Sequence, residues 1–179
     1  KQHPGITLHK NTKVNTTKGI PGNFETSLLK LNGTRQEEII EHGATILATG
    51  GHEYLPDEYL YGKNKDVITT LELDEAIMAN DKRIVKANTV AFIQCVGSRC
   101  DERPYCSKIC CTHSVKSALE IKEKSPKAQV FILYRDVRTD GFREELYSEA
   151  RAKGVLFIRY TPEERPVVTD QNGQIEIVI

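Results

Sequence analysis

Three apolar runs of strand length, separated by amphipathic stretches, constrain the fold of this sequence more than any other feature. They are "TVAFIQCVG", "AQVFILY" and "VLFIRY". Continuous apolar runs of this length are typical of strands buried on both faces of a sheet. The intervening segments, "SKICCTHSVKSALEIKEK" and "DGFREELYSEARAKG", have apolar residues at helical spacing. This alternation predicts a parallel sheet with right-handed crossovers.

The expected fold class is therefore α/β, a Rossmann-like parallel sheet with flanking helices. The first helix is predicted to bury a stripe formed by Cys111, Val115, Ala118 and Leu119. The second is predicted to bury Phe142, Leu146 and Ala150, and to stop at Gly154. "GQIEIVI", after Asn172-Gly173, is predicted to be a fourth strand.

The segment before residue 52 is predicted to be β-rich, as a β-meander preceding the parallel sheet. "GITLHKNTKV" and "FETSLLKL" have the pattern of strands. "RQEEIIEHGATILATGG" predicts a polar strand, a turn at His42-Gly43 and a buried strand. Residues 52–67 are expected to form a loop, and residues 71–80 a helix that buries Leu73, Ile77 and Met78. The pattern of apolar residues changes from about residue 88, and two parts are predicted, residues 1–84 and 85–179.

Charge and cysteine distribution limit the classes of function. The 25 basic and 25 acidic residues balance, which argues against a broad nucleic-acid footprint or a polybasic membrane patch. Four of the five cysteines fall between Cys100 and Cys111, whereas a disulfide-stapled secreted domain would spread an even number along the chain. The opening "KQHPGITLHK" has neither an initiator Met nor an apolar signal region. We expect an excised piece of a longer, cytoplasmic polypeptide with reduced thiols.

The cysteines lie where a nucleotide-binding fold would hold a pyrophosphate. That loop needs several glycines, yet "CVGSRCDERPYCSKICC" contains only Gly97. Cys95 closes a strand, and Cys106, Cys110 and Cys111 are expected at the start of the next helix. A right-handed βα turn would bring them together, with Cys106 and Cys110 on one face if the helix begins early enough.

Several kinds of site fit these thiols. The helix N-terminus and the nearby Arg99, Arg103 and Lys108 favour thiolates. A [4Fe–4S] cluster, which takes Cys₄ ligation, is the first interpretation. Dithiol–disulfide chemistry is the second and a structural zinc ion the third. Packing alone explains a single buried cysteine better than so dense a cluster. His113 is left out of the site.

The wider sequence resembles the A subunit of heterodisulfide reductase. The resemblance is carried by "QCVGSR", "ERPYCSKICC" and "LYRDVRTDGFREELYSEARAKGVLFIRY". The earlier "GNFE", "GATILATGG" and "VITTLELDEAI" follow the same order as in that family. The family is an iron–sulfur flavoprotein similar to thioredoxin reductase, with an FAD domain interrupted by a nicotinamide-domain-like insertion.

The resemblance implies cluster ligands and partners. Cys95, Cys106, Cys110 and Cys111 match the thiols that bind a [4Fe–4S] cluster, while Cys100 has no counterpart. The implied function is electron transfer in an oxidoreductase, next to an FAD domain. The implied partners are other reductase subunits and an electron-input protein such as a hydrogenase subunit or ferredoxin.

The resemblance also implies a flavin contact. Ala48, Thr49, Gly50 and Gly51 are similar to the A-T-G motif at which a strand end passes close to the flavin nucleotide. The loop that would hold the FAD pyrophosphate is absent from this sequence. We therefore expect the isolated chain to hold no FAD and to be inactive as an enzyme. Arg135, Asp136 and Arg138 are interpreted as a charged rim at the end of a strand.

Overall fold

A computed structural model describes residues 3–31 and 36–179 of the chain. These residues form two compact units, Lys1–His52 and Glu53–Ile179. The boundary predicted near residue 85 separates an FAD-domain segment from an inserted domain. This predicted boundary concerns which domain of a longer protein each part comes from, and it stays a prediction.

The first unit is an antiparallel meander, as the sequence predicts. Its strands are β1 (Thr12–Ile20), β2 (Asn23–Lys30) and β3 (Glu37–His42), in the order β1-β2-β3. Pro21-Gly22 joins β1 to β2, and the positive φ of Gly22, 90°, suits the second central position of a type II turn. The predicted strand "GITLHKNTKV" is misplaced, because β1 begins only at Thr12.

The predicted buried strand within "GATILATGG" is wrong. Residues 44–51 have no regular secondary structure, and Ile46 and Leu47 are 90% and 85% exposed. Apolar character alone does not make a strand, because the backbone N–H and C=O groups of a strand must also hydrogen-bond to a neighbouring strand. Among the described residues of this unit, no strand pairs with the segment.

The second unit is built on the predicted parallel sheet. Its strands are β4 (Thr89–Ile93), β5 (Gln129–Tyr134) and β6 (Val155–Arg159), in the order β4-β5-β6. Both pairings are parallel, which confirms the α/β fold class. Within the described part of the chain, β4 and β6 form the two edges of this sheet.

Four helices accompany the sheet, and a single 3-10 turn at Gly141–Arg143 precedes the last of them. They are α1 (Thr70–Met78), α2 (Lys82–Val85), α3 (Cys110–Lys124) and α4 (Glu144–Ala152). A capping box starts α1, because Thr69 and Glu72 each bond the other's backbone N–H. Gly154 follows α4 with a φ of 79°, which confirms the predicted stop.

The core lies between the sheet and the helices α1, α3 and α4. Its fully buried residues include Val115, Ala118, Ile121, Val130, Ile132 and Ala150. Two apolar residues predicted to be buried are exposed. Met78 is the last residue of α1, and Phe142 precedes α4 in the 3-10 turn, where it is 94% exposed. The helical period does not extend through a 3-10 turn, which rotates its residues differently.

The C-terminal strand does not join the parallel sheet. It pairs as β8 (Gln174–Val178) with β7 (Val167–Gln171) in an antiparallel hairpin. Asn172 and Gly173 connect them with φ values of 57° and 86°, as a type I′ turn requires. The prediction of a fourth strand is confirmed, but a two-residue turn can only join antiparallel neighbours.

The described residues contain no helix with both the length and the apolar character needed to cross a membrane.

Candidate metal centre

All five cysteines lie between the end of β4 and the first turn of α3, at the carboxyl edge of the parallel sheet. Cys95 follows the last residue of β4 by two positions, and Cys110 and Cys111 are the first residues of α3. Cys106 lies in the turn, because α3 begins later than predicted. Cys106 and Cys110 therefore do not share a helix face, because the early helix start on which that expectation depended does not occur.

The backbone before Cys95 is anchored from three elements. The Gln94 N–H donates to the Leu133 carbonyl of β5 at 2.9 Å, which extends the sheet ladder. The Tyr160 hydroxyl donates to the Gln94 carbonyl, and the Gln94 side chain donates to Ser114 Oγ of α3 at 2.6 Å. Cys95 itself has a φ of 62°, so the chain turns sharply at the thiol. These hydrogen bonds fix the position of the backbone that carries Cys95.

Cys110 and Cys111 shift each other's pKa in opposite directions at the start of α3. Cys111 donates a hydrogen bond to Cys110, and this bond, with the Ser107 hydroxyl and backbone N–H groups, lowers the pKa of Cys110 to about 5 despite partial burial. The same bond, together with burial, raises the pKa of Cys111, the donor. The buried Cys111 Sγ also lies 3.8 Å from the carbonyl oxygen of Asp136. Cys110 is thus the thiolate of the pair.

Cys95 behaves differently from the thiolate predicted for it. Burial raises the pKa of the Cys95 thiol, and the Arg99 guanidinium 3.9 Å away offsets only part of that effect. The nearby cations and the helix N-terminus are visible in the sequence, whereas the burial of this sulfur is not. A positive ligand would reverse this balance, because thiolates bind metal far more strongly than thiols do.

Cys106 has a separate environment in the turn. Its sulfur accepts the Lys108 backbone N–H at 3.3 Å, and Lys108 has a φ of 61°. The pKa of Arg138 is raised by its hydrogen bond to Asp136, and also by attraction to Asp136 and to Cys106. Cys106 therefore lies within electrostatic range of Arg138, which follows β5.

The thiols fit a sulfur-ligated cluster by their chemistry. Cys95, Cys110 and Cys111 lie close enough for their charges to act on one another's pKa. Fe–S clusters take thiolate ligands and are tuned by hydrogen bonds to sulfur, and such donors are present at Cys95 and Cys106. Within residues 3–31 and 36–179, no three Cys, His, Asp or Glu side chains are arranged to hold a single metal ion. The four-cysteine assignment stays a prediction.

His113 and Cys100, which are not among the proposed ligands, have local partners. His113, which the sequence prediction left out, bonds through Nε2 to Asp74 of α1 at 2.7 Å. Cys100 is half-buried and exchanges backbone hydrogen bonds with Arg103 in a tight turn. The structure thus gives His113 a role in attaching α3 to α1.

Sequence reasoning missed the role of Asp136. It was assigned to a charged rim, but its carboxylate binds Arg99 and Arg138, and its carbonyl lies beside Cys111. The order of the strands could have indicated this role, because Asp136 follows β5 and β5 pairs with β4. The carboxyl ends of neighbouring parallel strands meet at one edge, next to the cysteines.

Gly97 is the residue of the turn that tolerates no side chain. It has a φ of 62°, and an added Cβ would lie 2.1 Å from ring carbons of Tyr54. Arg103 holds this packing, because its guanidinium lies 4.3 Å from the Tyr54 ring centroid and its Nε donates to the Gly97 carbonyl. The only glycine of the turn is therefore required by a close approach, not by a phosphate.

We expect Gly97→Ala to lower the free energy of unfolding by more than the ~1–2 kcal/mol that a left-handed backbone costs an alanine. Gly62→Ala is the matched control, because Gly62 has a φ of 72° and open space around it. Urea unfolding of both variants separates backbone strain from the clash with Tyr54. Equal losses in the two variants would contradict the close packing of Tyr54 on Gly97.

The predicted flavin segment lies in the first unit. Ala48, Thr49, Gly50 and Gly51 are exposed and follow β3 without regular secondary structure. Gly50 has a φ of 73°. The structure does not test their contact with a flavin, and that assignment stays a prediction.

The sequence of the chain is similar to those of proteins from a known family. No family model matches it. Over 146 residues it is 43% identical to the A subunit of the H(2):CoB-CoM heterodisulfide,ferredoxin reductase of Methanothermobacter thermautotrophicus, a match covering 72% of this chain and 22% of that protein. It is 41% identical over 148 residues to the second iron–sulfur A subunit of the CoB–CoM heterodisulfide reductase of Methanopyrus kandleri, covering 73% and 23%.

A third relative agrees with these two. The A subunit of the ferredoxin:CoB-CoM heterodisulfide reductase of Methanosarcina mazei is 36% identical over 161 residues, covering 77% of this chain and 20% of that protein. The matched relatives are oxidoreductase subunits, and the chain spans about a fifth of their length. Over this span, the chain belongs to the family of heterodisulfide reductase A subunits.

Proposed function

We propose that this chain is the electron-transfer segment of a heterodisulfide-reductase-type oxidoreductase. In this proposal Cys95, Cys106, Cys110 and Cys111 hold a [4Fe–4S] cluster. The observation that carries it is the β4–α3 turn, which delivers thiols from a strand end and a helix start to one edge of the sheet. The name of the Methanopyrus relative, an iron–sulfur subunit, supports the kind of cofactor.

The chain's own residues would bind the cluster and moderate its charge. Such a cluster accepts and releases single electrons. Cys110 is already a thiolate, and the N–H groups at the start of α3 stabilise negative sulfur there. Arg99 beside Cys95 and the Lys108 N–H beside Cys106 would do the same at the other ligands. Cys111 contributes a buried position that limits solvent access.

The wider setting of the proposal is a longer flavoprotein. Ala48, Thr49, Gly50 and Gly51 would lie near FAD there, without holding it in this chain alone. We propose a cytoplasmic complex with other reductase subunits and with a hydrogenase subunit or ferredoxin as electron donor. The names of the relatives, which include ferredoxin and H(2), support partners of this kind.

Anaerobic reconstitution tests the cofactor assignment. The chain is incubated with ferrous iron and sulfide, desalted, and analysed for iron, sulfide and zinc, followed by EPR spectroscopy after dithionite reduction. We expect about four iron and four sulfide per chain, with the EPR signal of a reduced cubane. Stoichiometric zinc without iron uptake would instead indicate a structural zinc site.

Thiol–disulfide chemistry is the second candidate function. The observation in its favour is the hydrogen bond from Cys111 to Cys110 with the lowered pKa of Cys110, since a thiolate beside a thiol is the reactive arrangement. It predicts a reversible loss of two free thiols on mild oxidation and no uptake of iron. Uptake of iron and sulfide by the reduced chain would exclude it as the main role.

A further inference from the structure

Three charged side chains form a salt-bridge network beside the cysteine turn. Asp136 accepts hydrogen bonds from both Arg99 and Arg138, the latter at 2.9 Å from Arg138 Nε to Oδ2. The salt bridge between Arg99 and Asp136 joins the turn after β4 to the segment after β5, and the salt bridge between Arg138 and Asp136 lies within the segment after β5. We call Arg99, Asp136 and Arg138 the arginine–aspartate clamp.

The clamp contacts two of the proposed ligands at opposite ends. Arg99 Nη1 lies 3.9 Å from Cys95 Sγ, and Cys111 Sγ lies 3.8 Å from the Asp136 carbonyl oxygen. Cys95 and Cys111 come from different elements, a strand end and a helix start. The salt bridge between Arg99 and Asp136 therefore connects one residue that contacts Cys95 with another that contacts Cys111.

The clamp is held in place by the neighbouring strands. Arg135 Nη1 donates to the Arg99 carbonyl at 2.9 Å, and Arg159 Nε donates to the Arg135 carbonyl at 3.2 Å. Arg99 has a φ of 57°, and its N–H donates to the Tyr105 carbonyl at 3.2 Å. Its guanidinium is thus directed at Cys95 by a backbone fixed on both sides.

The charged groups of the clamp lie close together and are only partly exposed to solvent. The Arg99 and Asp136 side chains are 22% and 43% exposed, so solvent screens them less than it would a freely exposed pair. Asp136 partly neutralises two guanidinium groups. Removal of Arg99 would make the surroundings of the thiols more negative, and removal of the Asp136 charge would make them more positive.

We infer that the Arg99–Asp136 pair positions Cys95 and Cys111 and sets the reduction potential of the centre they hold. This inference rests on the proposed cluster function. Arg99 and Asp136 are positioning residues, since neither is a proposed ligand. A positive charge favours the reduced, more negative state of a cluster, and a negative charge opposes it.

Potentiometric EPR titration of the reconstituted chain tests the inference. At a fixed potential near the midpoint, we expect Arg99→Gln to lower the ratio of reduced to oxidised cluster by on the order of tenfold, ~59 mV for one electron. Asp136→Asn is expected to raise that ratio. Arg99→Lys should restore most of the wild-type value, because it keeps the charge.

A matched control excludes a general charge effect. Lys127→Gln makes the same change of net charge on an exposed side chain two residues before β5, at the opposite edge of the sheet. We expect its midpoint to equal that of the wild type. Unchanged midpoints in both clamp variants, or shifts of the same sign with loss of iron, would overturn the inference.

A cluster-free measurement separates this inference from the proposed function. In the reduced, iron-free chain at a fixed pH, we expect Arg99→Gln to decrease the rate of Cys95 alkylation, because the guanidinium 3.9 Å from the sulfur stabilises the thiolate, which is the nucleophile. Mass spectrometry follows each cysteine separately. An unchanged Cys95 rate would overturn the positioning role, whether or not the wild type binds iron. Failure of the wild type to bind iron overturns the cluster function instead.

Discussion

Cys110→Ser is expected to remove most of the iron from the reconstituted chain. Cys110 is the proposed ligand most fully prepared for metal, because its pKa of about 5 makes it a thiolate at neutral pH. Serine keeps the size of the side chain but not the soft anionic donor. Loss of a residue that merely supports a ligand already costs ~10–100-fold in metal affinity, so loss of the ligand should cost at least as much.

Cys100→Ser is the control for this variant. Cys100 lies in the same turn, is half-buried, and is not a proposed ligand. Iron and sulfide content and the EPR spectrum after dithionite should match the wild type in Cys100→Ser and be nearly lost in Cys110→Ser. An unaltered spectrum in Cys110→Ser, or iron loss in Cys100→Ser, would refute the ligand assignment.

Leu73→Ala is expected to lower the free energy of unfolding of the second unit by about 2–4 kcal/mol, the usual cost of a cavity in a packed core. Leu73 is 5% exposed in α1 and belongs to the core formed with α3 and the sheet. Leu71 lies two residues earlier in the same helix and is 50% exposed. Leu71→Ala makes the same chemical change with the same effect on helix propensity, and should cost less than about 1 kcal/mol.

Urea denaturation followed by circular dichroism measures both losses. The difference between the two variants isolates the burial of Leu73, since the helix and the substitution are the same. Similar losses in the two variants would show that α1 does not pack on the core through Leu73.

The sheet was predictable because each strand can be recognised from its own apolar sequence. β4, β5 and β6 are apolar runs of strand length separated by helix-length segments, and this pattern has few alternatives. The hairpin turn at Asn172-Gly173 is equally local, since both residues accept positive φ. The sequence predicted β8 as a strand, but it did not predict which strand β8 would pair with.

The start of α3 was not predictable from periodicity. Ser107 stands where an N-cap residue would stand if the helix began at Lys108. Lys108 instead has a φ of 61°, and the helix begins two residues later. A lysine gives no indication of a left-handed conformation, which glycine or asparagine would have given. Cys106 is consequently a residue of the turn.

The electrostatics of the site depend on burial, which sequence does not provide. Arg99 and the helix N-terminus were correctly placed near the thiols, but burial raises the pKa of Cys95 all the same. The contact of Asp136 with Arg99 joins residues 37 positions apart. The topology places the two turns together, whereas the pairing of particular side chains depends on their rotamers.

The position of β4 at the edge of its sheet has a consequence for handling the isolated chain. Its five residues, "TVAFI", contain no charge and no proline, and within the described part of the chain no strand covers its outer side. Soluble proteins commonly place lysine, proline or a bulge on such a strand to prevent association between molecules. We therefore expect concentrated solutions of this chain to associate through β4, and dilute reconstitution with rapid analysis to avoid it.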